Sequence, residues 1–152
     1  MKARSAGNLA AALVLALAAV SPAKARDLEA EAAAMKVLDA FMTAFNAQDI
    51  AAFEGVLHFP HYRIASGNVS VLQDPSALPV LFERFVAAMP GWDHSAWERR
   101  EVVHSGPDKV HIDTRFTRYQ ADGSVLASYD SLYIVTKHNG RWGVLARSSF
   151  AP

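Results

Sequence analysis

The chain has 152 residues, no cysteine, and 15 basic against 15 acidic side chains. That length suits one domain, and the missing cysteines exclude a disulfide framework, thiolate metal ligands and cysteine nucleophiles. Zero net charge speaks against a nucleic-acid binder that works by neutralising phosphates.

The first segment differs from the rest. Lys2 and Arg4 precede an apolar run of 12 residues, 9–20, and the small residues Ala23 and Ala25 flank one position beyond it. This is the layout of a secretory signal peptide, and the run is shorter than the roughly 20 apolar residues a membrane span needs. Residues 1–25 are therefore expected to be a leader cleaved after Ala25, and residues 26–152 one domain with 12 basic and 15 acidic residues, net −3. The expectation is a periplasmic or secreted protein with no membrane contact after cleavage and no attraction to nucleic acid.

Apolar positions at Leu28, Met35, Leu38, Phe41, Met42 and Phe45 have helical, one-faced spacing. Asp49 can cap a short second helix carrying Ile50, Phe53, Val56 and Leu57. Residues 58–65 are strand-like, with Pro60 predicting an edge or a bulge. Ser66-Gly67-Asn68 turns into a short strand over 69–72. Asp74-Pro75 reads as a cap before a third helix that buries Leu78, Leu81, Phe82, Phe85, Val86 and Met89 and stops near Pro90-Gly91. The last third is strands, with hairpin signals at Asp122-Gly123 and Asn139-Gly140 and a further turn near Gly106-Pro107-Asp108.

Two-residue loops at those signals fix the register, and register decides which side chains share a face. They pair Thr114 with Ser131, Phe116 with Tyr129 and Ile112 with Tyr133, and then Ser131 with Ser148, Tyr133 with Ala146 and Tyr129 with Phe150. One face thus holds Val110, Ile112, Thr114, Phe116, Tyr129, Ser131, Tyr133, Ser148 and Phe150; the other carries an Arg115–Asp130 pair, with Arg147.

Helices first and a long paired sheet last, with FMTAFNAQDIAAFEGVL at 41–57 and HNGRWGVLARSSF at 138–150, resemble the nuclear transport factor 2-like superfamily, which includes ketosteroid isomerase-like and SnoaL-like proteins. The resemblance implies an α+β fold: a cone-shaped barrel of a curved, mostly antiparallel sheet closed by three N-terminal helices, with the Ser131 and Ser148 face concave around an apolar cavity. It also implies departures from the isomerases. Their carboxylate base falls at Ala65, their first-helix tyrosine at Phe41, and their second oxyanion donor near Ser131. A base and strong donors around one carbonyl are what that reaction requires.

Strand alternation groups His61 and Arg63 with Ala65 on the cavity side, a candidate base beside a candidate anion stabiliser. Glu101 opposes Thr114 if the Gly106 turn pairs Ser105 with Val110, making it a second candidate base; a one-residue bulge there would present Glu98, Arg100 and Val102 instead. Phe41, Trp92, His94, Thr114, Phe116, Tyr129, Ser131, Tyr133, Ser148 and Phe150 are the candidate ligand contacts, for an apolar or aromatic small molecule. No cofactor motif is present, and the histidines do not make a metal site: His104 and His111 oppose each other without a third ligand. Leu132 and Ile134 between charges on the outer sheet face point to a homodimer through that face.

Overall fold

The computed structural model describes residues 26–152, so the expected leader and its cleavage after Ala25 lie outside the described residues. Helix α1 (Leu28–Ala47) starts on Asp27, whose carboxylate accepts from the Ala30 N–H, and ends where Gln48 takes a left-handed conformation. Asp49 caps α2 (Ile50–Gly55) in the same way through the Ala52 N–H. Strands β1 (Leu57–Ala65) and β2 (Asn68–Leu72) form a hairpin around Ser66-Gly67. Asp74 caps a 3-10 turn at Pro75–Ala77 that leads into α3 (Leu78–Ala88). Strands β3 (His94–Gly106), β4 (Lys109–Tyr119), β5 (Val125–His138) and β6 (Arg141–Ser149) follow.

The six strands form one open sheet in the order β2-β1-β6-β5-β4-β3, antiparallel throughout except for the parallel β1–β6 pair. The sheet does not close, so β2 and β3 remain its edges and the expected barrel is a curved, unclosed one. Helix α1 lies on the inner face. Leu38 and Ala34 are fully buried there with Ile112, Val110, Val135 and Val144 from the strands. Phe41, Phe45, Phe53 and Phe82 interlock as one aromatic cluster with neighbouring ring centroids 4.8 to 6.4 Å apart. Helix α3 buries only Leu78 and Phe82 fully; Val86, expected in the core, is exposed because α3 packs by its first two turns.

The Asn139-Gly140 loop is the expected two-residue turn, with positive φ at both residues and His138 paired with Arg141. The Asp122-Gly123 turn is wider: the Gln120 N–H reaches the Ser124 carbonyl and Tyr119 pairs with Val125. Leu126 is then left unpaired, and this bulge restores the expected pairing from Arg118–Ala127 inward, including Phe116–Tyr129, Thr114–Ser131 and Ile112–Tyr133.

Three more bulges alter which side chains face inward. Leu145 is an extra residue in β6, between Ala146, opposite Ile134, and Val144, opposite Val135. Beyond it Ser131 pairs with Ser149 and Tyr133 with Arg147, so the expected Ser148 and Phe150 turn outward and Arg147 and Ser149 turn in. In β3, Val103 and Glu98 are the extra residues, and Glu101 pairs with Asp113 rather than Thr114. No helix among the described residues is long and apolar enough to cross a membrane.

Candidate binding site on the concave face

Pairing sets the inner face as rows of side chains. One row runs Ala65, Ser149, Ser131, Thr114 and Arg100; the next runs Arg63, Arg147, Tyr133, Ile112 and Val102. Nearer the other end, Tyr129, Phe116 and Trp97 share a row, followed by Arg118 and Ser95.

Three arginines therefore converge on this face from three strands: Arg63 of β1, Arg118 of β4 and Arg147 of β6. Arg118 is 5% exposed. Its guanidinium carbon lies 4.8 Å from the centre of the Phe85 ring, 5.0 Å from Tyr129 and 5.6 Å from Phe116. Arg147 Nη1 donates to the Tyr133 hydroxyl at 3.4 Å, and its guanidinium carbon is 5.9 Å from that ring. Both Arg118 Nε and Arg147 Nε are buried and have no hydrogen-bond partner among the described residues. Arg63, the outermost of the three, donates to the main-chain oxygen of Pro152 at 2.7 Å. Burial, together with the Arg147 and Arg118 charges, lowers the Arg63 pKa to about 10.

His61 lies beside them, 5% exposed, with Nδ1 3.1 Å from the Val144 carbonyl. A carbonyl only accepts, so the neutral ring carries its proton on Nδ1 and keeps Nε2 as a free acceptor. Burial, then the Arg147 and Arg63 charges, hold the His61 pKa down at about 4. A neutral imidazole with so low a proton affinity is a weak general base at neutral pH.

Between Arg118, Arg147, Tyr133 and Ser95 on the sheet side and Phe41, Met42 and Phe45 of α1 lies a cavity of about 20 Å3, closed below by Phe116. Roughly 10–15 Å3 of this measure suffices for one water-sized group.

The sequence-derived candidates divide between this cluster and other places. Phe41, Phe116 and Tyr133 wall the cavity, and Tyr129 lies against Arg118. Ser131 and Thr114 are buried in the next row, where Ser131 donates to Ser149 Oγ at 2.7 Å and Thr114 to the Ser131 carbonyl at 3.0 Å. His61 and Arg63 share the inner face with them. Five candidates lie elsewhere. Ser148 is exposed and Phe150 is 77% exposed, both turned outward by the Leu145 bulge. Glu101 is exposed on the outer face, 4.0 Å from Arg99, because the Val103 bulge shifts its register. His94 stacks on Tyr119 at 5.1 Å and bonds Asp93 at the end of β3, away from the cavity. Trp92 covers the aromatic cluster, against Phe85 and Phe45, with its Nε1–H on Ser95 Oγ at 3.0 Å.

Arg118, Arg147, Ser149 and Ser95 were not among the candidates. Alternation from Thr114 and Phe116 already carries Arg118 to the inner face. Arg147 had no such signal, because it depends on the bulge. His104 and His111 oppose each other as expected, 5.8 Å apart, and no group of three metal-ligating side chains lies together among the described residues.

Residues 29–149 match the family described as NTF2-like protein (DUF6841), and the chain belongs to that family. Among solved structures it is similar to a ketosteroid isomerase-like protein from Erwinia carotovora atroseptica SCRI1043. That match has 26% identity, a TM-score of 0.59, and covers 80% of this chain and 96% of the other. A protein of unknown function with a cystatin-like fold from Nostoc punctiforme PCC 73102 superposes with a TM-score of 0.69 at 12% identity, covering 82% and 92%. An NTF2-like protein of unknown function from Pseudomonas putida KT2440 gives 0.67 at 16%, covering 84% and 90%. No curated protein matches the chain.

Proposed function

We propose that this NTF2-like protein is an exported small-molecule-binding protein whose ligand sits on the concave face, between α1 and the sheet. The observation that carries this reading is the pair of buried nitrogens, Arg118 Nε and Arg147 Nε, that have no partner among the described residues. A buried donor left unpaired costs on the order of 1–3 kcal/mol, so a core that only had to fold would not favour keeping two. Export rests on the N-terminal segment alone.

Isomerisation of the ketosteroid kind is disfavoured by residue chemistry. Ala65, Phe41 and Ser131 stand where that reaction's base and donors belong, Glu101 is on the outer face, and His61 is a poor proton acceptor. A second reading is favoured by one observation: the cavity holds about 20 Å3, as expected of an interaction module filled by its own side chains. The outer face supports a homodimer, since Tyr62 and Ile64 of β1 sit in rows with Ala146, Ser148, Ile134 and Leu132 as a half-apolar surface.

Native mass spectrometry of protein purified from its own cells separates the two readings. The expected result is a small-molecule adduct lost on denaturation; the bare polypeptide mass from such preparations contradicts the binding reading.

A further inference from the structure

Several arginines outside the Arg63, Arg118 and Arg147 cluster are ion-paired. Arg99 contacts Asp113 at 2.5 Å and Asp130 at 3.3 Å, Arg115 contacts Glu98 at 3.0 Å and Asp130 at 3.1 Å, and Arg100 contacts Asp39 at 2.5 Å. Every ion pair among the described residues takes its cation from Arg26, His94, Arg99, Arg100 or Arg115. On the concave face Arg100 has an acidic partner in Asp39, and Arg63, Arg118 and Arg147 have none among the described residues. Arg63 and Arg147 are direct neighbours in one row, a like-charge pairing that destabilises a sheet, and Arg118 is buried deeper still. Among the described residues no acidic side chain forms an ion pair with any of the three.

Unpaired charge in a low-dielectric pocket is costly and is relieved by an incoming opposite charge. We propose that the ligand of the concave face carries a carboxylate, held between the Arg118 and Arg147 guanidinium groups. This rests on the binding reading above and narrows it to an anion. A carboxylate is planar and presents two oxygens, matching the fork of a guanidinium, and both arginines have Nε–H free to donate. The cavity is small, which counts against the bulkier, more highly charged phosphate. The Tyr133 hydroxyl and Ser95 are the neighbouring polar groups, and Phe41, Phe45 and Phe116 form the apolar wall of the cavity. Neutral His61 completes the selection: it adds no charge that would need a second anion, and its pKa of about 4 reflects the positive potential of the arginines as well as burial.

The test is calorimetric and thermal-shift titration of the purified domain with acetate against acetamide, benzoate against benzamide, and inorganic phosphate, at matched ionic strength. Each acid should bind at least about tenfold more tightly than its amide, because a hydrogen bond to a charged group is worth more than its neutral counterpart. Arg147→Gln and Arg118→Met should each remove that preference, the first serving if the second fails to fold. Equal affinity for benzoate and benzamide overturns the carboxylate assignment while leaving the binding pocket standing. Phosphate binding more tightly than either acid overturns the choice of carboxylate. No saturable response to any of the five overturns the assignment and counts against the pocket itself.

Discussion

Ser131 Oγ donates to Ser149 Oγ at 2.7 Å, and that hydroxyl in turn accepts from the Ala151 N–H at 3.1 Å. The partner is residue 149 rather than 148 because Leu145 is an extra residue in β6. The same shift brings Arg147 onto the concave face, so this hydrogen bond is a marker of the register on which the site depends.

The two serines can be separated by stability. Ser149→Ala removes the partner of two buried groups and should cost about 1–3 kcal/mol, whereas exposed Ser148→Ala should stay within roughly 0.5 kcal/mol. Urea denaturation of both variants checks this. Equal effects would indicate that the bulge is absent.

Arg118→Met should make the protein more stable while abolishing anion binding. It replaces a buried, unpaired charge with an apolar chain of similar length, a change expected to gain about 1 kcal/mol or more. Arg115→Met on the outer face breaks exposed ion pairs and should lower stability, by no more than about 1 kcal/mol. Opposite signs for these variants in denaturant titrations are the expected signature of a binding site built at the expense of stability.

His61 gives the fold a pH dependence with a definite sign. The folded chain holds its pKa at about 4, against an unfolded value near 6.5, so the unfolded chain binds the extra proton between those limits. Stability from this group is therefore complete above pH 6.5 and falls as the pH drops toward and through 4, by roughly 3 kcal/mol in all. His61→Asn keeps a donor for the Val144 carbonyl and should flatten that slope, as read from urea midpoints across the range. An unchanged slope would assign the pH dependence to other groups.

The outer sheet face should govern assembly. Ile64→Lys with Leu132→Lys puts two charges into one row of the half-apolar surface, either side of Ser148, and should yield a monomer of unchanged far-ultraviolet circular dichroism. Light scattering after size-exclusion chromatography reads the mass of each protein; a wild-type monomer would remove the dimer from the account.

Local chemistry made most of the fold legible. Asp27 and Asp49 as caps, Asn139-Gly140 as a turn and the helical spacing of Leu38, Phe41 and Phe45 each act over a few residues. The register of β4 against β5 came out right although the loop did not, because the Leu126 bulge compensates for the wider turn. The site was less legible. Leu145, Glu98 and Val103 are ordinary strand residues, and nothing in their side chains announces an unpaired position. Each reverses the facing of every residue beyond it, which is why Ser148, Phe150 and Glu101 changed sides and Arg147 was missed. Arg118 needed only one more step of the alternation that had already placed Phe116.

The most direct test of the carboxylate site is the arginine Nε–H region of a nitrogen-15 NMR spectrum, followed as acetate and then acetamide are added. Arg118 and Arg147, assigned by loss of their signals in the Arg118→Met and Arg147→Gln variants, should exchange slowly with water because both Nε atoms are buried. The expected result is that both signals move with acetate and stay fixed with acetamide. Signals that ignore acetate, or that exchange as fast as those of exposed arginines, would contradict an anion site on the concave face.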